Sequence, residues 1–185
     1  NGFRSIQGIA VFFGGSPVGW QSSQQPFATH STAESELVAY CESLLIGRAT
    51  EALLCAVWGE PQKSNLFSRV IYGDNLAAIG LANGTTCSSW RTRHLRRRAL
   101  NLRWRVSRGD WAVRHLAGSE MPADLGTKIL GAERFLKLRE MLGMKDQGEK
   151  GGTQEKRKEE EEKAQTETPS KEGVKKALQL LIVAA

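Results

Sequence analysis

Residues 29–40 read THSTAESELVAY, with two glutamates two positions apart where a helix should begin. Ser31 followed three residues later by Glu34 fits a capping box: the serine side chain accepts from the third helical amide and the glutamate reaches back toward the cap. Glu34 therefore has a structural task. Glu36 has none of that kind. At helical spacing it shares a face with Tyr40, Ser43, Leu44 and Gly47, and the small residues there let a helix backbone lie close to a sheet. A carboxylate on such a face is costly to bury unless an arginine or a metal meets it, and taken alone it reads as a solvated helix charge. The helix itself is expected over residues 31–59, which lack proline, hold Gly47 as their one internal glycine and are rich in Leu, Ala and Glu.

Outward from this helix the elements alternate. SIQGIAVFF (5–13) and PVGWQS (17–22) flank GGSP and read as a hairpin. RVIYGD (69–74) reads as a short strand with Asp74 at its carboxyl end, and NLAAIGLANG as a short helix stopped by Gly84. Residues 90–108 have helical character, DWAVRHL reads as a last strand, and PADLGTKILGAERFLKLREML as a closing helix begun by Pro122. Asp74 and Asp124, like Glu36, stand at element ends, so three carboxylates from three elements can converge at one edge of a sheet. Hard cations such as Mg²⁺ are held by carboxylate oxygens, waters and substrate phosphates. A pair of them about 4 Å apart stabilises both the attacking and the leaving oxygen in phosphodiester cleavage. Two of these acids also have plainer readings: Asp74 as an N-cap and Asp124 as a first-turn acid facing the helix dipole.

The chain has 185 residues, a pI of about 9.4 and a formal net charge of +6. Residues 1–145 carry 18 Lys+Arg against 11 Asp+Glu, whereas residues 146–185 carry 8 against 9, so the basic excess belongs to the folded part and points to a polyanionic partner. Eight arginines fall within the 18 acid-free residues 91–108: Arg91, Arg93, Arg96, Arg97, Arg98, Arg103, Arg105 and Arg108. Such one-signed clustering reads as a phosphate-binding surface, with Trp90 and Trp104 as anchors to the core and not as stacking platforms. Cys41, Cys55 and Cys87 form no metal or disulfide pattern, which fits a reducing, intracellular compartment. Residues 146–173 are expected to be a charged, disordered linker. Residues 174–185 form an apolar segment whose run of nine from Ala177 is too short to span a bilayer, although a membrane segment cut at its end is compatible with it.

Taken in order, STAESELVAY, VIYGDNLAAIGLANG, RTRHLRRRALNLRWRV and PADLGTKIL resemble the ribonuclease H domain of copia-type long-terminal-repeat retrotransposon Pol polyproteins. The usual forms there are STAEAEY, a CDN strand end, RTKHI and ADxLTKPL, and the resemblance covers roughly residues 4–145. It implies an α/β fold of ribonuclease H type, a five-stranded mixed sheet flanked by helices, in residues 1–145. It implies hydrolysis of the RNA strand of RNA:DNA hybrids during reverse transcription, with two Mg²⁺ ions as cofactors and an upstream reverse transcriptase domain as partner. It also implies Glu36, Asp74 and Asp124 as catalytic metal ligands, with Arg91, Arg93, Arg96, Arg97, Arg98, Arg103, Arg105 and Lys128 contacting nucleic acid. No small-molecule substrate is implied. Gly73 stands where the family commonly has Cys, and Gly126 and Ile129 depart from the last motif. His115 is read as a strand residue. Family members begin with a central strand bearing a first catalytic Asp, and no acid precedes Glu34 here. The chain is therefore expected to lack its central strand, to fold poorly and to be inert alone. The alternatives are a degenerate module that binds nucleic acid without cutting it, and a host protein that has captured the domain.

Overall fold

The computed structural model describes residues 4–59, 68–85, 97, 99–144 and 179–184. Strands β1 (Ile6–Phe13) and β2 (Ser16–Gln24) form the expected antiparallel hairpin, its turn made by Gly14 and Gly15 at positive φ. Helix α1 (Thr32–Trp58) follows, then β3 (Ser68–Gly73), α2 (Leu76–Asn83), α3 (Leu100–Ser107), β4 (Ala112–His115), a 3₁₀ turn at Pro122–Gly126, α4 (Ala132–Met141) and β5 (Gln179–Ala184). The strand order is β2-β1-β5-β3-β4. The α/β class with a five-stranded mixed sheet is thus present.

The centre of that sheet is not vacant, which corrects the expectation of a missing central strand. The apolar C-terminal segment supplies it: β5 pairs antiparallel with β1, Ile182 opposite Val11, and parallel with β3, Ile182 opposite Ile71. Ile182 and Ala184 are fully buried among Ile9, Val11, Leu37, Tyr40, Leu44 and Ile71. An apolar strand between two open strand edges satisfies their backbone groups and buries its own side chains at once. The strands that flank it read as near-continuous apolar runs because both faces of β1 are covered. Ile9 and Val11 pack in the α1 cluster, while Ala10 and Phe12 pack with Met121 and Ala123.

Helix α1 lies on the sheet because its facing residues are small where it comes closest. A Cβ at Gly47 would sit 2.3 Å from Ile182 Cδ1 and 2.5 Å from Trp111 Cη2. Gly73 meets the same helix one step further on: a Cβ there would lie 2.0 Å from the Tyr40 hydroxyl. Gly73 is therefore matched to a tyrosine on the facing helix. Gly73→Ala should cost about 2 kcal/mol by overpacking, and Tyr40→Leu in that background should recover part of the loss. A double-mutant cycle by urea unfolding measures the coupling, and purely additive costs would show that the two do not share the space.

The closing helix differs from the sequence expectation. Pro122 does begin a helical turn, but it is a single 3₁₀ turn that ends at Gly126, and the α-helix starts only after the cap Gly131. Two glycines within six residues interrupt helix propagation, because glycine forfeits the most backbone entropy there. The break lets the 3₁₀ turn sit flat on the hairpin. A Cβ at Gly8 would clash with the Ala123 carbonyl oxygen at 2.3 Å, and the Ser22 hydroxyl donates to the Gly126 carbonyl. The charged segment 146–173 lies outside the described residues.

Candidate active site

The start of α1 is built as the capping box requires. Ser31 Oγ accepts from the Glu34 amide at 3.1 Å, and Glu34 Oε2 accepts from the backbone N–H of His30 at 2.9 Å, one residue further back than the cap itself. Glu34 is buried in this role. A glutamine the sequence reading passed over locks the same corner. Gln25 is 1% exposed; its Nε2 donates to the Ser35 carbonyl at 2.8 Å, and its Oε1 accepts from the Ser35 hydroxyl at 3.3 Å. Its backbone N–H donates to Ser5 O at 2.8 Å. The residue beside Glu36 is thereby tied to the end of the hairpin. The only legible signal was a polar pair, Gln24 and Gln25, closing an apolar hairpin.

Asp74 follows β3 directly, and Asn75 takes the capping role once open to Asp74: its Oδ1 accepts from the amides of Ala77 and Ala78, both at 3.0 Å. The Asp74 carboxylate is left to face the site, close enough to Gly118 that a Cβ there would lie 3.4 Å from Oδ2. Asp124, in the 3₁₀ turn, is fully buried. Lys128 Nζ stands 2.7 Å from its Oδ1, and Arg134 Nη2 bonds its Oδ2.

Electrostatics show that the three acids share one neighbourhood. Burial first, then Asp74 and, more weakly, Asp124 push the Glu36 carboxyl from its ordinary 4.5 up to about 7, with Lys128 pulling the other way. Glu36 Oε2 is buried without a hydrogen-bond partner among the described residues. Burial followed by Glu36 and Asp74 also raises Tyr40, whose oxygen the Asn75 backbone amide faces. An orphaned, partly buried carboxyl beside a second carboxylate is the donor set a hard divalent cation takes. Glu36 and Asp74 fit such an ion. Asp124 does not as it stands: Arg134 bonds its Oδ2, and Lys128 Nζ lies 2.7 Å from its Oδ1, although Oδ1 accepts no hydrogen bond among the described residues. No group of three or more His, Cys, Asp or Glu that could hold a metal occurs among the described residues. A cavity of about 530 Å³ opens beside Glu36, walled by Ser31, Ser35, Thr127 and Lys128.

The raised carboxyl sets a stability prediction. The folded value lies above the unfolded one, so the folded state binds the proton more tightly. Its contribution is present below about pH 4.5 and is lost as pH rises through about 7. Glu36→Gln should therefore leave stability nearly unchanged at pH 4.5 and raise it at pH 8 by about 1–2 kcal/mol, after allowance for solvent screening. Urea unfolding at the two pH values measures this, and an equal effect at both would remove the burial argument.

Of the eight expected nucleic-acid contacts, Arg91, Arg93, Arg96 and Arg98 lie outside the described residues. Arg97 is exposed. Arg105 and Arg108 lie 5.6 and 4.7 Å from the Trp104 ring centre. Trp104 is 51% exposed, so it is no core anchor, which corrects the sequence reading for that residue, while Trp90 lies outside the described residues; among the described residues the buried tryptophan is Trp111. With Leu102 filling the one fully buried place on α3, Trp104 is left on the outer face, where the two guanidinium groups cover it. Lys128 reaches Asp124 instead of projecting free. His115 is an exposed residue at the end of β4, opposite Gly73. A buried pair between Glu51 of α1 and Arg69 of β3 was not legible in the sequence; Arg69 Nε donates to Glu51 Oε2 at 3.0 Å.

No family model and no solved structure matches the chain. Over 145 residues it is 29% identical to the Retrovirus-related Pol polyprotein from transposon TNT 1-94 of Nicotiana tabacum, a match covering 76% of this chain and 10% of that polyprotein. The chain thus spans about a tenth of that relative's length. The similarity supports an origin in a retrotransposon Pol polyprotein. No helix among the described residues is long and apolar enough to cross a membrane.

Proposed function

We propose that this chain is a ribonuclease H module of a retrotransposon Pol polyprotein, acting on the RNA strand of RNA:DNA hybrids. What supports the reading is that Glu36, Asp74 and Asp124 come from a helix, a strand end and a 3₁₀ turn, with the buried Glu36 Oε2 left without a hydrogen-bond partner among the described residues and both aspartates raising its carboxyl. Bound Mg²⁺ would polarise the scissile phosphate and activate a water. Glu36 and Asp74 would supply its first protein oxygens, and the Gln25–Ser35 hydrogen bonds hold the start of α1 so that Glu36 keeps its place. The exposed face of α3, with Arg105 and Arg108 over Trp104, offers cations to the hybrid backbone. Burial and then the neighbouring Arg48 of α1 lower the Arg105 value, with Asp110 and Glu51 acting the other way.

A second reading, a module that binds nucleic acid without cutting it, is favoured by one observation: Asp124 lies against two side-chain cations, Lys128 and Arg134. Cleavage of an end-labelled RNA:DNA hybrid in Mg²⁺, by this chain alone and by the chain extended upstream, separates the two. Cleavage by either, lost on Asp74→Asn, supports the nuclease; salt-sensitive binding with no cleavage by both supports the binding module.

A further inference from the structure

Resting on the reading of Glu36, Asp74 and Asp124 as one site, we infer that Arg134 is an internal counterion that occupies Asp124 in competition with a divalent cation. It is thereby a positioning residue that sets how tightly the site takes metal.

The geometry is specific. A single nitrogen, Arg134 Nη2, bonds Asp124 Oδ2 and also donates to the Gly118 carbonyl at 2.6 Å. A Cβ at Gly118 would lie 3.4 Å from Asp74 Oδ2. One guanidinium thus fastens the 3₁₀ turn to the loop that borders the second acid. Its own helix is seated by Leu138, which is fully buried one turn further along α4, so the arginine is delivered by a packed element and not by a loose side chain. Lys128 takes the other Asp124 oxygen, but its side chain is half exposed and solvent can replace the carboxylate around its ammonium. Arg134 is the more enclosed of the two. A divalent ion placed against Glu36 and Asp74 therefore meets Asp124 already neutralised. It gains that carboxylate only if the guanidinium leaves, and leaving costs the guanidinium both of its acceptors.

The test is Mn²⁺ binding by the whole chain without nucleic acid, followed by isothermal titration calorimetry and by the electron paramagnetic resonance signal of free Mn²⁺. Arg134→Gln should bind Mn²⁺ about tenfold tighter or more than the parent, since a like charge leaves the site. The gain should vanish when Asp124→Asn is added, because it acts through Asp124. Arg134→Lys, which keeps the charge on a shorter reach, should fall between the two and covers the case in which the glutamine variant does not fold. Equal affinity in parent and both Arg134 variants overturns the inference, as does a gain that survives Asp124→Asn, or an absence of binding in all of them. Hybrid cleavage is not read here. A failure of the nuclease reading would leave a positive result standing; equal affinities in parent and variants would leave Glu36 and Asp74 as the metal-facing pair, whereas absence of binding would remove that pair as well.

Discussion

Removal of residues 179–185 should abolish the cooperative fold. Strands β1 and β3 are not neighbours in this sheet; everything between the hairpin and the β3-β4 pair passes through β5, with five register pairs on either side. Losing β5 opens two long edges in the middle of the core and uncovers the α1-facing side chains that Ile182 and Ala184 now bury. A ladder hydrogen bond is worth about 1 kcal/mol net, and a buried isoleucine about 2–5 kcal/mol when truncated. A domain stable by about 5–15 kcal/mol does not survive the loss of both ladders and the packing with them. The single substitution Ile182→Asp should do nearly as much, by placing an unpaired carboxylate against Ile71 and Val11. Hydrogen exchange at the amides of Val11 and Ile71 is the direct measure. Native protection persisting in the shortened chain would show that β5 decorates the sheet and does not complete it.

That strand also marks where local sequence reading stops. The hairpin, α1 with its caps Ser31 and Gly59, β3 and α2 all announce themselves within a dozen residues, through alternation, small capping residues and stopping glycines. QLLIVA carries no such local statement of its place. It is six residues long, five of them apolar, and its partners lie more than a hundred positions away in sequence, so neither its register nor its two neighbours is written near it. The same limit hid the Glu51–Arg69 pair, whose members are ordinary surface types until the helix crosses the strand. It also hid the occupation of Asp124. The spacing from Asp124 to Lys128 was visible as one helical turn, but the approach of Arg134 depends on the chain breaking at Gly126 and Gly131, which turns a single expected helix into two elements. That each acid stands near the end of an element was legible. What each acid touches was not, because touching is tertiary.

The two glutamates of THSTAESELVAY should part company in a cleavage assay. In a protein that cuts an RNA:DNA hybrid, Glu36→Gln should lower the rate by about 10³-fold or more, some 4 kcal/mol of barrier, because Asp74 raises the carboxyl and its buried Oε2 has no hydrogen-bond partner among the described residues. Glu34→Gln keeps the shape of the side chain but weakens a charged acceptor for the His30 amide at the start of α1. Its cost should be about 1 kcal/mol of stability with little change in the rate of folded protein. Urea unfolding and single-turnover cleavage on the same preparations read both quantities. The stability arm has a further sign that a merely structural glutamate does not give: Glu36→Gln should be the more stable protein above pH 7 while being the less active one, since relief of a raised carboxyl and loss of a metal ligand pull in opposite directions. Equal loss of rate at both positions with folding intact would sink the assignment. A Glu36→Gln protein that is less stable than the parent at pH 8 would show that the carboxylate is held by its surroundings and not strained by them.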